Sequence, residues 1–416
     1  MRLIIPPSLR HRRYRLLWFG MMISIAGTQM QIWSIFWHIR TLTDQPIALG
    51  GVGLARIIPV IFFSLIGGAV ADVANRRKVM FITQTALALG ALALAMLTIN
   101  GRIELWQIYA LTALQAVAIA FDTPARQSLV PNLVPPRDLP NAFSMGSLAF
   151  QTGAIVGPAL SGLVIAYLGQ PYTYLINSIS YLAVILALLL MGPVEQDMGG
   201  EKRASISLSS IREGIQFIIG QPIILSTMVL DFFATFFSSA NTLMPIFARD
   251  ILKVGVVEYG WLSSAQSIGA VGAALVMSQI KQIQRQGPTF LISVVVFGVA
   301  TIFFGLAKSF WLAMLALIFV GAADSVSTII RNTIRQLQTP DYLRGRMTSV
   351  NQIFFMGGPQ LGEVEAGVAA QIFGAPIAVI SGGVGCILAV VWIARRWPQI
   401  ARYNGDEPIR AGAIAD

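Results

Sequence analysis

The side chains that could do chemistry in this chain are charges set inside apolar runs. Arg56, Asp231, Asp324, Glu363 and Glu365 each interrupt a long hydrophobic stretch. A charge at membrane depth is costly unless it faces a cavity or a partner, so each of these five is a candidate substrate or coupling residue. A carboxylate in such a setting can exchange a proton near neutral pH, which makes Asp231, Asp324, Glu363 and Glu365 the candidates for proton coupling. Glu363 and Glu365 lie about 200° apart on a helix and cannot both face one cavity. Asp122 and Arg126 are spaced i,i+4 and can pair on one helix face. Asp324 and Arg331, seven apart, share a face in the same way. Both sets fall near span ends, which suits gate salt bridges.

Other chemistries find no support. His11 and His38 are far apart and Cys386 is the single cysteine, so metal-ligand spacing and a disulfide framework within the chain are both absent. No G-x-x-x-x-G-K-[ST] loop is present to bind ATP. The expectation is a chain without cofactor or metal that is not an enzyme.

The elements that must position these charges are membrane helices. The chain has 416 residues, 55% hydrophobic and 12% charged, with a mean hydropathy of +0.70. Ordinary soluble domains carry about 25% charged residues. Lipid leaves no partner for exposed backbone polar groups, so apolar runs of about 20 residues read as spanning helices. The first runs from about Leu16 to His38 behind a basic N-terminus and reads as an uncleaved span. Eleven more follow at roughly 47–71, 79–99, 104–127, 141–168, 172–191, 222–247, 257–280, 288–306, 309–330, 346–373 and 375–394. Of the 29 Lys and Arg residues, 23 fall on one side of this topology, five on the other, and Arg56 within a span. That excess marks the cytoplasmic face and places both termini there. It accounts for the net charge of +10 through anionic lipid, without nucleic acid.

The chain also repeats. Shifted by 205 residues without a gap, Phe121–Pro171 lies over Val326–Pro376 with ten identities in 51 pairs. About four would be expected by chance at ordinary residue frequencies. The pairs include Arg126/Arg331, Gly153/Gly358, Gly157/Gly362, Gly162/Gly367, Gly169/Gly374 and Pro171/Pro376, and Pro158 stands opposite Glu363. The expected organisation is an N-terminal six-helix bundle over 1–191, a cytoplasmic linker over 192–221, a C-terminal bundle over 222–396 and a tail over 397–416. Ser210-Ile211-Arg212-Glu213 in the linker has capping-box spacing and opens a short amphipathic helix.

Two further motifs carry a resemblance. Between spans two and three, Gly68, Asp72, Asn75, Arg76, Arg77 and Lys78 resemble the loop signature of the major facilitator superfamily. There Gly68 would admit a close neighbouring helix and Asn75 would supply a left-handed turn. Gly153, Gly157, Pro158 and Gly162 resemble the antiporter signature of drug-exporting facilitators, with Gly362 and Gly367 as their repeats; ordinary small-residue packing is the alternative. The span-four arginine of such exporters is missing around Gln115. Gln221-Pro222, Thr333–Pro340 and Leu343–Arg346 are similar to the enterobactin-exporter-like branch, which holds siderophore and macrolide exporters.

The resemblance implies an all-α membrane protein of twelve helices in two pseudo-symmetric six-helix bundles. It implies a monomeric secondary exporter in a bacterial inner membrane, moving a siderophore, drug or other amphipathic small molecule by alternating access with protons as partner. Uptake, lipid or lysolipid transport on the same fold, and a non-transporting sensor, stand as the alternatives.

Overall fold

The structure, a computed structural model, describes residues 6–196, 215–237, 240–280, 283–340 and 343–405. The Ser210–Glu213 motif lies outside the described residues, as does the side chain of Asp72. The chain folds into helices α1 (Arg12–Leu42), α2 (Pro46–Val73), α3 (Arg76–Ile99), α4 (Leu105–Leu129), α5 (Leu139–Tyr167) and α6 (Gln170–Leu190). The second series begins with α7, described as Pro222–Phe237 and Ala240–Ile246, which runs into a π-helical turn at Phe247–Ile251. It continues with α8 (Val256–Ser278), α9 (Gln286–Leu306), α10 (Phe310–Leu337), α11 (Arg344–Phe373) and α12 (Ala375–Arg396), and a short α13 (Pro398–Arg402) follows.

Among the described residues, ten helices are long and apolar enough to cross a membrane by length and composition. The other two long helices, α1 and α11, are diluted by polar residues, Gln29 and Gln31 in one and Gln360, Glu363 and Glu365 in the other. Helix ends are placed by local chemistry. Asn75 caps α3 by accepting from Lys78 N at 3.1 Å, and Glu104 with Gln107 forms a capping box on α4. The left-handed turn expected at Asn75 is not formed: its φ is −65° because its side chain is spent on the cap. Gly169 and Gly374 recur for a backbone reason. They precede α6 and α12 at φ +98° and +85°, a conformation that side chains other than glycine resist, and each is followed two residues on by a proline in the first helical turn.

The helices group into two compact units. In the first, α1 packs on α5 and α6, and α3 packs on α4 and α6. In the second, α7 packs on α11 and α12, and α9 packs on α10 and α12. Each packing pair of one unit recurs in the other six helices later, as the internal repeat requires. Core side chains include Tyr14, Leu17, Met80, Leu129 and Leu188 in the first unit. Phe290, Ile330, Ile334 and Ile393 serve in the second.

The units are not simple sequence halves. Gln45–Gly53, the first turns of α2, belong to the second unit, and Gly255–Ser264, at the start of α8, belong to the first. Glycine contacts explain both assignments. A Cβ on Gly367 would stand 2.8 Å from Gly50 Cα, and one on Gly162 would stand 3.1 Å from Gly260 Cα. Only backbones without side chains approach this closely.

Candidate functional site

The first unit contains a half-open cavity of about 640 Å³ walled by α1, α3, α4, α5 and α6. One face of α1 supplies Tyr14, Trp18, Met21, Ile25 and Gln29, which recur at three- and four-residue intervals as a helix face must. The adjoining wall on α5 carries Phe143, Ser147, Phe150 and Gln151. The polar tips of the α1 aromatics are already used. Tyr14 OH donates to Ala142 O at 2.6 Å and Trp18 Nε1 to Met145 O at 2.8 Å, which leaves their rings for apolar contact.

Two charges line this cavity, Asp122 and Arg126 on successive turns of α4. The pair expected from their spacing is not formed. Asp122 Oδ1 accepts from Thr83 Oγ1 and Gln84 Nε2, both at 2.9 Å, so α3 holds the carboxylate. Arg126 instead donates to Met21 Sδ at 3.8 Å, a weak acceptor. Spacing allowed the ion pair, but two neutral donors on a neighbouring helix took the acid.

Above the charges runs a buried polar chain. Gln31 Nε2 donates to Gln115 Oε1 at 2.7 Å, Asn177 Nδ2 donates to Gln31 Oε1 at 2.7 Å, and Thr28 Oγ1 lies 3.0 Å from Tyr181 OH. Gln115 and Asn177 therefore bind neighbouring helices, while Thr28, Gln29 and Tyr181 line the cavity.

The second unit treats its charges differently. Arg331 Nη2 lies 3.0 Å from Asp231 Oδ1, and its Nη1 lies 3.5 Å from Asp324 Oδ1. Arg335 Nη2 lies 3.6 Å from Asp231 Oδ2, while its Nε donates to Thr227 Oγ1 at 3.1 Å. Asp231, Arg331 and Arg335 are 3%, 4% and 2% exposed, so the two Asp231 pairs are shut away from water, whereas Asp324 is exposed. Neither Asp231 contact has hydrogen-bond alignment, and charge attraction holds them. Arg335 is the functional-looking residue that sequence reasoning missed. Its place one turn after Arg331 was the available signal.

The remaining candidates fall in several places. Arg56 stacks over the Phe36 ring at 5.6 Å. Arg76, 3% exposed, binds Ala71 O, Ser128 O and Asn132 Oδ1, and Arg77 binds Leu188 O at 2.7 Å. These bonds tie the α2–α3 turn to the ends of α4 and α6, where free carbonyls attract cations. The close approach expected of Gly68 belongs to its neighbour: a Cβ on Gly67 would strike Ala120 O, whereas one on Gly68 meets nothing within 4 Å. Gly153 and Gly157 pack on α1 at Ile25, Ala26 and Gln29. Glu363 lies against Gly53, whose added Cβ would sit 2.9 Å from Glu363 Cβ, and Glu365 is half-buried on the same helix. The structure thus brings Asp231, Asp324 and Arg331 together.

The fold has counterparts among known proteins. A family model described as transmembrane secretion effector matches residues 6–405. The chain belongs to that family, a branch of the major facilitator superfamily. It is similar to the multidrug efflux pump Tap of Mycolicibacterium fortuitum, 26% identical over 86% of this chain and 89% of that protein. It is also similar to the enterobactin exporter EntS of Shigella boydii serotype 4 (strain Sb227), 22% identical over 96% of this chain and 95% of that protein. Among solved structures it superposes on the nucleoside transporter NupG with a TM-score of 0.74 at 13% identity, over 94% of this chain and 99% of that one. The fold is that of a major facilitator, and the family makes the chain a multi-pass membrane transporter rather than an enzyme.

Proposed function

We propose that this transporter exports an amphipathic small molecule across a bacterial inner membrane by alternating access, with protons as the coupling ion. The observation that carries this reading is the first-unit cavity. Its volume of about 640 Å³ suits a drug-sized ligand, its walls carry Trp18, Phe143, Phe150 and aliphatic side chains, and Asp122 and Arg126 stand among its polar groups. Similarity to the efflux pump Tap and the exporter EntS supports the outward direction. The Lys and Arg excess supports both termini being cytoplasmic.

In this reading the two units form the moving bodies, with 1–191 and 222–396 as their main chain segments, the linker over 192–221 joining them and the tail over 397–416 following. A single chain holds both repeats, which supports a monomer. Coupling is assigned to the span carboxylates Asp231, Asp324, Glu363 and Glu365, and cavity placement adds Asp122 to that set. Gly153, Pro158, Gly162 and Gly367 act as helix-packing positions, Gly157 and Gly362 as sliding surfaces, and Gly68, Asp72, Arg76 and Arg77 brace the cytoplasmic gate.

The test is metabolite profiling of cells and medium from deletion and overexpression strains, with and without a protonophore. One amphipathic compound should accumulate in deletion cells and move to the medium on overexpression, and the protonophore should abolish that movement. Accumulation inside the overexpressing cells instead would refute export and favour uptake. A shift confined to membrane lipids would favour lipid transport.

A further inference from the structure

The two repeat-related arginines, Arg126 and Arg331, are 205 residues apart and occupy equivalent places on α4 and α10. Their surroundings can be compared position by position. Gly153 meets Ile25 on α1, and its repeat Gly358 meets Thr235 on α7. Gly162 meets Gly260 on α8, and Gly367 meets Gly50 on α2. Both comparisons set the first two helices of each repeat 210 residues apart. By that register Met21 stands where Asp231 stands, and each is the residue its arginine touches. By the 205-residue register Ile119 stands where Asp324 stands.

Both carboxylates that neutralise Arg331 are therefore replaced by apolar side chains around Arg126. The one nearby acid, Asp122, corresponds to Ser327, which accepts from Arg331 at 3.1 Å. Asp122 does not repeat that contact, because Thr83 and Gln84 hold it against α3. Among the described residues no carboxylate comes within ion-pair distance of Arg126. Its guanidinium has a thioether for a partner and opens on the cavity. Five N–H donors placed there match the planar oxygens of a carboxylate, sulfonate or phosphate.

We infer that the cavity takes an amphipathic organic anion, whose charged group sits on Arg126 and whose apolar body lies against Tyr14 and Trp18 of α1 and Phe143 and Phe150 of α5. This inference rests on the export reading of the same cavity and names the class of cargo. Such an anion can be a soluble metabolite or an anionic lipid.

The test uses the full chain in phosphatidylcholine nanodiscs and two probes that differ by one sulfonate, 8-anilinonaphthalene-1-sulfonate and N-phenyl-1-naphthylamine. Saturable binding is read above that of empty discs. The wild type should bind the sulfonate saturably. Arg126→Gln should weaken that binding about tenfold or more, since it removes charge-assisted hydrogen bonds, and leave the neutral probe unchanged. Arg126→Lys should retain part of the affinity. Met21→Asp, which restores the second unit's pattern, should also abolish sulfonate binding, and it decides the matter if Arg126→Gln does not fold. Adding phosphatidylglycerol to the discs should compete with the sulfonate if the anion is a lipid and leave it unaffected if the cargo is soluble. Sulfonate affinity within twofold of wild type in both variants, or no saturable binding by wild type, overturns the inference. Arg126-independent binding alongside export in cells would sink this inference alone. Arg126-dependent binding with no change in the medium would instead sink the export reading.

Discussion

Replacing Asp231 with asparagine should open the second unit, and the chain carries its own reporter of that opening. Asp231 ties α7 to α10 through Arg331 at 3.0 Å and Arg335 at 3.6 Å, all three side chains being nearly inaccessible. Removing one partner of a buried ion pair costs about 3–5 kcal/mol, because the other charge is left without compensation. Arg331 would keep Asp324 at 3.5 Å and Ser327 at 3.1 Å, so its share of the loss is small. Arg335 would keep only the hydroxyl and carbonyl of Thr227. The lower end of the range applies, and about 3 kcal/mol corresponds to an opening equilibrium shifted on the order of a hundredfold. Cys386 is the single cysteine, fully buried, with Sγ 3.4 Å from Ala234 O on α7. A maleimide can reach it only when α7 parts from α12, so its labelling rate under native conditions follows local opening. Labelling should accelerate about a hundredfold in Asp231→Asn. Asp231→Asn combined with Arg335→Met, which removes the stranded cation, should recover more than half of that change on a logarithmic scale. Labelling of Asp231→Asn within twofold of wild type would refute the argument, as would a double variant that opens as readily as the single one.

Two other outcomes are expected. Gly67→Ala should lower the thermal midpoint by the equivalent of about 1–3 kcal/mol of overpacking against Ala120, while Gly68→Ala should change it by less than about 0.5 kcal/mol; equal effects would show that the close helix contact is misplaced. Arg76→Ala should destabilise the first unit by roughly 2 kcal/mol, read as earlier thermal aggregation, with Arg76→Lys restoring only part because one ammonium cannot serve Ser128 O and Asn132 Oδ1 while also reaching Ala71 O, which Nε holds.

Most of the architecture was legible before any contact was known. Hydrocarbon forces every backbone polar group to bond within its own segment, so run length alone places spanning helices. The register of Gly169 and Gly374 announced the repeat, and their positive φ explains why glycine is required at both. The pairing of Arg331 with Asp324 could be drawn on a helical wheel, since both lie on α10.

What sequence could not determine was which neighbour wins each side chain. Spacing allowed Asp122 to meet Arg126, yet Thr83 and Gln84 from α3 hold the acid, because a donor on an adjacent helix is as near as one on the next turn. Spacing also could not say that Gly67 rather than Gly68 faces α4, a choice set by helix rotation in the bundle. Asp231 reaches Arg331 across 100 residues, and Met21 occupies the matching place beside Arg126. The sequence by itself determined two copies of one membrane bundle with an arginine in each. The tertiary structure alone decided that one arginine is neutralised and the other opens on a cavity, because charge compensation depends on which helix faces which.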